Sequence, residues 1–158
     1  MTPQARRRRI WTVIAAVVAL LLVMVLALRW WASENVFTPR LASDDPRTVI
    51  TAYFEAQRWG LDRVAERVES PEMRAYREAP NYVTPLINDL FLARDLDIEG
   101  PNDITARNTY DEEVQFTVAY RSRWHNTIGE PPGPRFWFVY LGRDEGGPWY
   151  VLGQGTGP

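Results

Sequence analysis

The stretch EVQFTVAY, residues 113–120, alternates apolar residues with polar or small ones, and this period of two is typical of a β-strand buried on one face. Further along, RFWFVYL at residues 135–141 is apolar on both faces, which predicts a central strand. Turn residues at 143–147 separate it from a strand at 149–152. We also interpret residues 90–98 as a strand. The second half of the chain is therefore predicted to form an antiparallel sheet.

The residues before these strands are predicted to form about three helices. The first covers residues 45–59, where an acid in the N-cap position is followed by proline and by an apolar stripe. The second covers residues 61–68, and the third residues 70–79, with Met73 and Tyr76 expected to face inward. Helices followed by antiparallel strands predict an α+β fold in which the helices pack on one face of a curved sheet.

The N-terminal segment is the most apolar part of the chain. Residues 10–28 contain one polar side chain, Thr12, and as a helix they span about 28 Å, close to the thickness of a bilayer core. Four arginines at residues 6–9 precede the run, whereas Arg29 and two tryptophans follow it. This asymmetry predicts a single transmembrane helix whose N-terminus is cytoplasmic.

The expected organisation has four parts. Residues 1–9 are a cytoplasmic basic tail, residues 10–31 a signal-anchor helix in the lipid bilayer, residues 32–43 a linker without periodicity, and residues 44–158 an extracytoplasmic domain. A cleaved signal peptide is the alternative for the N-terminus. The uncleaved anchor is favoured because the apolar run is long and bulky tryptophans occupy the place of the small residues at a cleavage site.

Composition excludes several function classes. The 158 residues include no cysteine, which excludes disulfides and thiolate chemistry, and one histidine, which excludes most imidazole-rich metal sites. The first 31 residues carry five arginines and no acid, whereas the remaining residues carry a net charge of −7. Because nucleic-acid binding requires a basic surface, the acidic outer part argues against a nucleic-acid partner. No cofactor and no metal are expected.

Two segments of the outer part resemble the nuclear transport factor 2-like superfamily. The first is Pro46-x-x-Val49-x-x-x-Tyr53-Phe54-x-Ala56-x-x-x-Gly60-x-Asp62, which is similar to the first-helix signature of that superfamily. The second is residues 147–158, GPWYVLGQGTGP, which resembles the last strand of a bacterial, membrane-tethered branch. The resemblance implies a cone-shaped domain and a homodimer through the outer face of the sheet. It implies no catalytic residue.

A cone offers an apolar concavity that suits a small ligand. The aromatic residues expected to line it are Tyr53, Trp59, Tyr120, Trp137 and Tyr140. Non-catalytic binding of a small apolar ligand or a protein partner in the bacterial cell envelope is therefore the favoured function.

Two other functions stay open. In the first, the protein is an isomerase or hydrolase that uses His125 or an aspartate in the pocket; Asp89, Asp97 and Asp111 are the possible acids. In the second, it is a structural accessory of a membrane complex, contacting its partner through the span or the sheet.

Overall fold

A computed structural model describes residues 3–79, 89–103, 109–125 and 130–155. The helices are α1 Pro3–Ala32, a π-helical turn Ser33–Phe37, α2 Thr38–Leu41, α3 Pro46–Arg58, α4 Asp62–Ala65 with a 3₁₀ turn Glu66–Val68, and α5 Pro71–Glu78. The strands are β1 Arg94–Asp103, β2 Glu112–Arg121, β3 Pro134–Arg143 and β4 Tyr150–Gly155. This order of helices and strands confirms the predicted α+β class.

The four strands form one antiparallel sheet in the order β1-β2-β3-β4. Phe116 and Val118 of β2 are paired with Val139 and Trp137 of β3, so that these four side chains share the inner face. β3 lies between two neighbours, as its apolar sequence predicts. The inner face packs against α3, and the core of the domain lies between them.

Helix α3 is the central helix of that core. Asp45 caps its N-terminus, accepting hydrogen bonds from the backbone N–H groups of Arg47 and Thr48, as the acid before proline predicts. Its buried face includes Val49, Ile50, Tyr53 and Phe54, all with no exposed surface. The predicted apolar stripe is thus confirmed.

Helix α1, in contrast to α3, leaves its apolar residues exposed. One helical stretch in the described part of the chain, Ile10–Leu41, is long and apolar enough to cross a membrane, with a mean hydropathy of 2.9 in its apolar window. None of that window is buried against the rest of the protein. An apolar helix that buries nothing within its own chain is compatible with a transmembrane or signal-anchor segment.

The segment after α1 differs from the stalk without periodicity that the sequence suggests. The chain stays helical to Leu41, and Ser33, Phe37 and Leu41 are buried on the domain at intervals of four residues. Glu34 also forms an ion pair with Arg67 at 3.3 Å. Because this spacing places one face of the helix on the domain, α1 and the domain are joined without a loop.

Two local predictions were wrong. Strand β1 begins at Arg94 and not at residue 90, because residues 89–92 form a turn in which Leu92 has a φ of 57°. Tyr76 does not face inward: it is 69% exposed, because the side of α5 that carries it borders an open groove. The sequence also predicts a turn region at residues 126–134; its first part, residues 126–129, lies outside the described part of the chain, as do the closing residues 156–158.

Candidate functional site

A groove of about 390 Å³ opens between α5 and the end of the sheet formed by β3 and β4. Met73, Tyr76 and Arg77 line it from α5, and Trp137 lines it from β3. Leu152, Gly153 and Gln154 of β4 form the remaining wall, with Glu72 at the helix side. The groove therefore combines apolar side chains with charged and amide groups.

The chain immediately before α5 holds this helix against the sheet. Glu69 forms a parallel bridge with Val151 of β4, and the backbone N–H of Ser70 donates to the carbonyl of Val151 at 2.9 Å. The Ser70 hydroxyl then caps α5 by accepting from the N–H of Met73. Pro71 occupies the first helical turn, where its missing N–H costs nothing. These contacts fix the distance between α5 and β4.

Behind the groove lies a buried carboxyl group. Glu69 has no exposed surface, and its Oε1 accepts a hydrogen bond from the Tyr53 hydroxyl at 2.8 Å. The same oxygen lies 2.7 Å from the guanidinium of Arg77, which also faces Glu66 at 3.3 Å. The second oxygen of Glu69, Oε2, is buried and has no hydrogen-bond partner among the described residues. Arg77 therefore connects the buried carboxyl with the groove.

Burial changes the acidity of this pair. Loss of water raises the pKa of Glu69 above its ordinary value of 4.5, although the charge of Arg77 acts in the opposite direction. Burial, together with the nearby carboxyl of Glu69, raises the pKa of the Tyr53 hydroxyl far above its ordinary value. Tyr53 thus stays protonated and donates its hydrogen to Glu69.

A second tyrosine lies at the other side of the groove. The Tyr120 hydroxyl donates to Asp89 at 3.1 Å and accepts from the indole N–H of Trp137, also at 3.1 Å. Arg135 faces Asp89 at 3.6 Å. Burial raises the pKa of Tyr120, and the carboxyl of Asp89 adds to this effect. The network holds the Trp137 ring in place on the groove wall.

The five predicted pocket aromatics are divided between different surfaces. Tyr120 and Trp137 are hydrogen-bonded to each other on the inner face of the sheet, and Tyr53 lies beneath the groove, in contact with Arg77. Tyr140 is on the outer face, where its hydroxyl accepts from the side-chain amide of Gln115. Trp59 is 62% exposed at the C-terminal end of α3 and does not line the groove.

The acids predicted as alternatives to a non-catalytic site are separated as well. Asp89 belongs to the Tyr120 network, Asp97 is exposed on the edge strand β1, and Asp111 accepts from the backbone N–H of Glu145 at 2.9 Å. His125 is exposed. Across the described ranges, no group of three or more acidic or histidine side chains is arranged to hold a metal ion.

Sequence reasoning missed Glu69 and Arg77. A glutamate directly before Ser-Pro is ordinarily a solvated residue ahead of a helix cap, and its burial depends on the bridge to Val151. A signal was nevertheless present, because Glu69 to Arg77 covers two helical turns from the cap. Such a spacing allows a long basic side chain on α5 to reach back toward the residue before the helix.

Comparison with protein-family models, with curated proteins and with solved structures finds no match for this chain. The resemblance to the nuclear transport factor 2-like superfamily therefore stays a prediction.

Proposed function

We propose that this protein is a membrane-anchored domain of the bacterial cell envelope that binds a small, largely apolar ligand without transforming it. The observation that carries the proposal is the groove between α5 and the sheet, with an aromatic residue on each side. Tyr76 and Trp137 stand on opposite walls, and Met73 and Leu152 add apolar surface. Concave, mostly apolar sites with a few placed polar groups are typical of small-molecule binding.

The polar groups of the groove define the ligand further. Arg77 donates within the groove, but its charge is already opposed by Glu66 and by the buried Glu69. A ligand with a full negative charge gains little from a guanidinium that is paired in this way. We therefore infer a flat, neutral or weakly polar ligand that stacks on Trp137 and carries a hydrogen-bond acceptor for Arg77.

The membrane anchor is the second part of the proposal. The exposed apolar surface of α1 supports a span at residues 10–31. Arginines at residues 6–9, before the span, favour a cytoplasmic N-terminus and an extracytoplasmic domain. The inner face of the sheet and the helices over it are compatible with a cone, which remains part of the proposal.

An acid–base enzyme is less well supported by the same geometry. The carboxyl with a raised pKa, Glu69, has no exposed surface, so a substrate in the groove meets Arg77 before it meets the acid. General acid–base catalysis requires a group within hydrogen-bond reach of the reacting atom. Asp89 and His125, the sequence candidates, do not line the groove.

A homodimer through the outer face of the sheet also stays a prediction. Phe136 is 48% exposed on that face and forms an edge-to-face contact with Phe138 at 5.1 Å. An exposed phenylalanine that packs on a half-buried one supports a contact surface without identifying its partner.

The proposal is tested with the full chain in detergent micelles. A trifluoromethyl-substituted benzamide serves as the probe, because it offers one aromatic ring and one carbonyl acceptor, and fluorine NMR follows its binding. Tyr76→Ala removes one wall of the groove, and we expect it to weaken binding by about fivefold, corresponding to roughly 1 kcal/mol. Phe136→Ala is the matched control, since it removes an exposed aromatic from the opposite face and should leave binding unchanged.

Equal affinity in the Tyr76→Ala and unaltered proteins would contradict a binding site in this groove. Signals that match those of empty micelles would contradict it as well. Native mass spectrometry of the purified full chain adds an independent measurement, because a retained small molecule gives the ligand mass directly.

A further inference from the structure

Apart from Tyr76 at the groove and Phe136 on the outer face of the sheet, three large apolar side chains from separate segments are exposed on the described part of the domain surface. They are Trp59 after α3, Leu92 before β1 and Trp124 after β2, exposed by 62%, 41% and 37%. We call these three residues the apolar rim. Single exposed apolar residues need no explanation, but a group of large ones at one place indicates a surface that contacts something apolar.

Contacts between the three segments place the rim residues together. The backbone N–H of Leu92 donates to the carbonyl of Arg58 at 2.9 Å, which joins the loop before β1 to the end of α3. The indole N–H of Trp124 donates to the carbonyl of Phe91 at 2.8 Å. The Phe91 ring in turn lies against Gly60: a Cβ built on that glycine would be 3.1 Å from the ring. The three segments that carry the rim are thus joined to one another.

The same contacts place the rim at the end of the membrane-spanning helix. The side chain of Arg29, the residue after the apolar run 10–28, donates a hydrogen bond to the carbonyl of Gly60. Trp59 therefore stands at the height along α1 where the apolar surface ends. Trp30 and Trp31, the next residues of α1, are also exposed, by 68% and 55%. Tryptophan is enriched at this depth of a bilayer, at the level of the lipid headgroups.

Two basic side chains beside the rim fit lipid headgroups, although the exposed acid Asp95 follows one of them and pairs with Arg121 at 3.7 Å. Arg94 and Arg123 are exposed two residues after Leu92 and one residue before Trp124, although the outer part of the chain as a whole is acidic. Positive side chains next to partly inserted aromatic residues are typical of surfaces that contact lipid phosphates.

The backbone at Leu92 adds to the argument. Its φ of 57° lies in the left-handed region, which a leucine rarely adopts. A residue of this size is held there with much of its side chain in solvent. Strain of this kind is found where the presentation of a side chain has a use.

From these observations we propose that the apolar rim inserts into the headgroup region of the bilayer that α1 spans, so that the domain rests on the membrane surface. This inference depends on the span at residues 10–31 that was proposed above. Trp59, Leu92 and Trp124 lie at the level of the lipid glycerol and upper acyl chains, and Arg94 and Arg123 contact the phosphates.

Because the sequence contains no cysteine, a spin label attaches only to a cysteine that is introduced by substitution. Single cysteines introduced by Trp59→Cys, Leu92→Cys, Val18→Cys and Glu145→Cys are spin-labelled in the full chain, which is reconstituted into vesicles of phosphatidylcholine and phosphatidylglycerol. Collisions with oxygen and with a water-soluble nickel complex then report the depth of each label. Val18 lies in the middle of the span, and Glu145 is exposed at the opposite end of the strands from Trp124.

We expect the labels at positions 59 and 92 to have oxygen-to-nickel collision ratios several-fold higher than the label at position 145, and below that at position 18. Ratios at both rim positions equal to that at position 145, with a high ratio at position 18, would overturn the rim while leaving the span intact. A low ratio at position 18 would overturn the span and, with it, the rim. Unaltered thermal unfolding of the Trp59→Cys protein checks that the fold is retained.

Discussion

Two buried tyrosines, Tyr53 and Tyr120, each donate a hydrogen bond to a carboxyl group that also faces an arginine. In the first cluster the donor–acceptor distance to Glu69 is 2.8 Å, and Arg77 lies 2.7 Å from the same oxygen. In the second, Tyr120 lies 3.1 Å from Asp89, and Arg135 lies 3.6 Å from it. The chemical groups are the same, but the second cluster is more open.

The two carboxyl groups also differ in their exposure to solvent. The side chain of Glu69 has no exposed surface, whereas that of Asp89 is 15% exposed. Charge interactions are stronger away from water, and an unpaired group there is also more costly. The comparison indicates that the Glu69 cluster holds α5 against the sheet, whereas the Asp89 cluster orients Trp137 at the groove.

Removal of the carboxyl groups should give the largest difference in the free energy of unfolding between the two clusters. Glu69→Ala leaves the Tyr53 hydroxyl without its acceptor and Arg77 without its closest partner, so we expect a loss of about 3–5 kcal/mol in the free energy of unfolding. Asp89→Ala should cost about 1 kcal/mol, because water can replace a partly exposed carboxylate. Thermal unfolding of the full chain in micelles measures both, and equal losses would contradict the comparison.

Removal of the hydroxyl groups should give a smaller effect in the same direction. Tyr53→Phe leaves Glu69 Oε1 with Arg77 alone and should cost about 2 kcal/mol, since a hydrogen bond to a buried carboxyl group is lost. Tyr120→Phe should cost about 1 kcal/mol and loosen Trp137, whose indole N–H loses its acceptor. Tryptophan fluorescence, recorded beside the unfolding curves, should change in the second variant more than in the first.

The smallest of the three expected effects is on the pH dependence of the free energy of unfolding, which the Glu69 cluster should influence. Because the folded protein raises the pKa of Glu69 above 4.5, the folded state holds this proton more tightly than the unfolded state. Stability from this group is present below pH 4.5 and falls as the pH rises from there through the raised pKa. Glu69→Gln should flatten that part of the curve of unfolding free energy against pH. An unchanged slope would show that Glu69 titrates as it does in the unfolded chain.

Local patterns in the sequence were sufficient for most of the fold. The cap at Asp45 with the stripe after it predicted α3, and the alternation in residues 113–120 predicted β2 and its inner face. The start of β1 was not predictable in this way, because the turn before it depends on a hydrogen bond between Leu92 and Arg58, far apart in sequence. The helical segment 33–41 was missed because only three buried positions mark its inner side.

The site residues were predictable only where the sequence spacing determines on which face of the sheet a side chain lies. Tyr120 and Trp137 lie on neighbouring strands, and the register of β2 and β3 brings both side chains to the inner face of the sheet. Tyr140 is three residues from Trp137, so the period of two places it on the outer face, and its assignment to the pocket neglected this parity. Glu69 was out of reach, because its burial depends on a bridge to Val151 near the end of the chain.

The helix that continues from the apolar segment, residues 10–28, into the domain limits how freely the groove can move relative to that segment. From Arg29 to Leu41 the helix rises by about 18 Å, whereas the same residues in extended form would reach about 40 Å. A flexible tether of that length would let the domain reorient freely relative to the apolar helix. Here the helix and its buried contacts at Ser33, Phe37 and Leu41 fix both the distance and the orientation of the domain relative to the apolar helix. Rotation of the apolar helix about its own axis therefore turns the groove through the same angle.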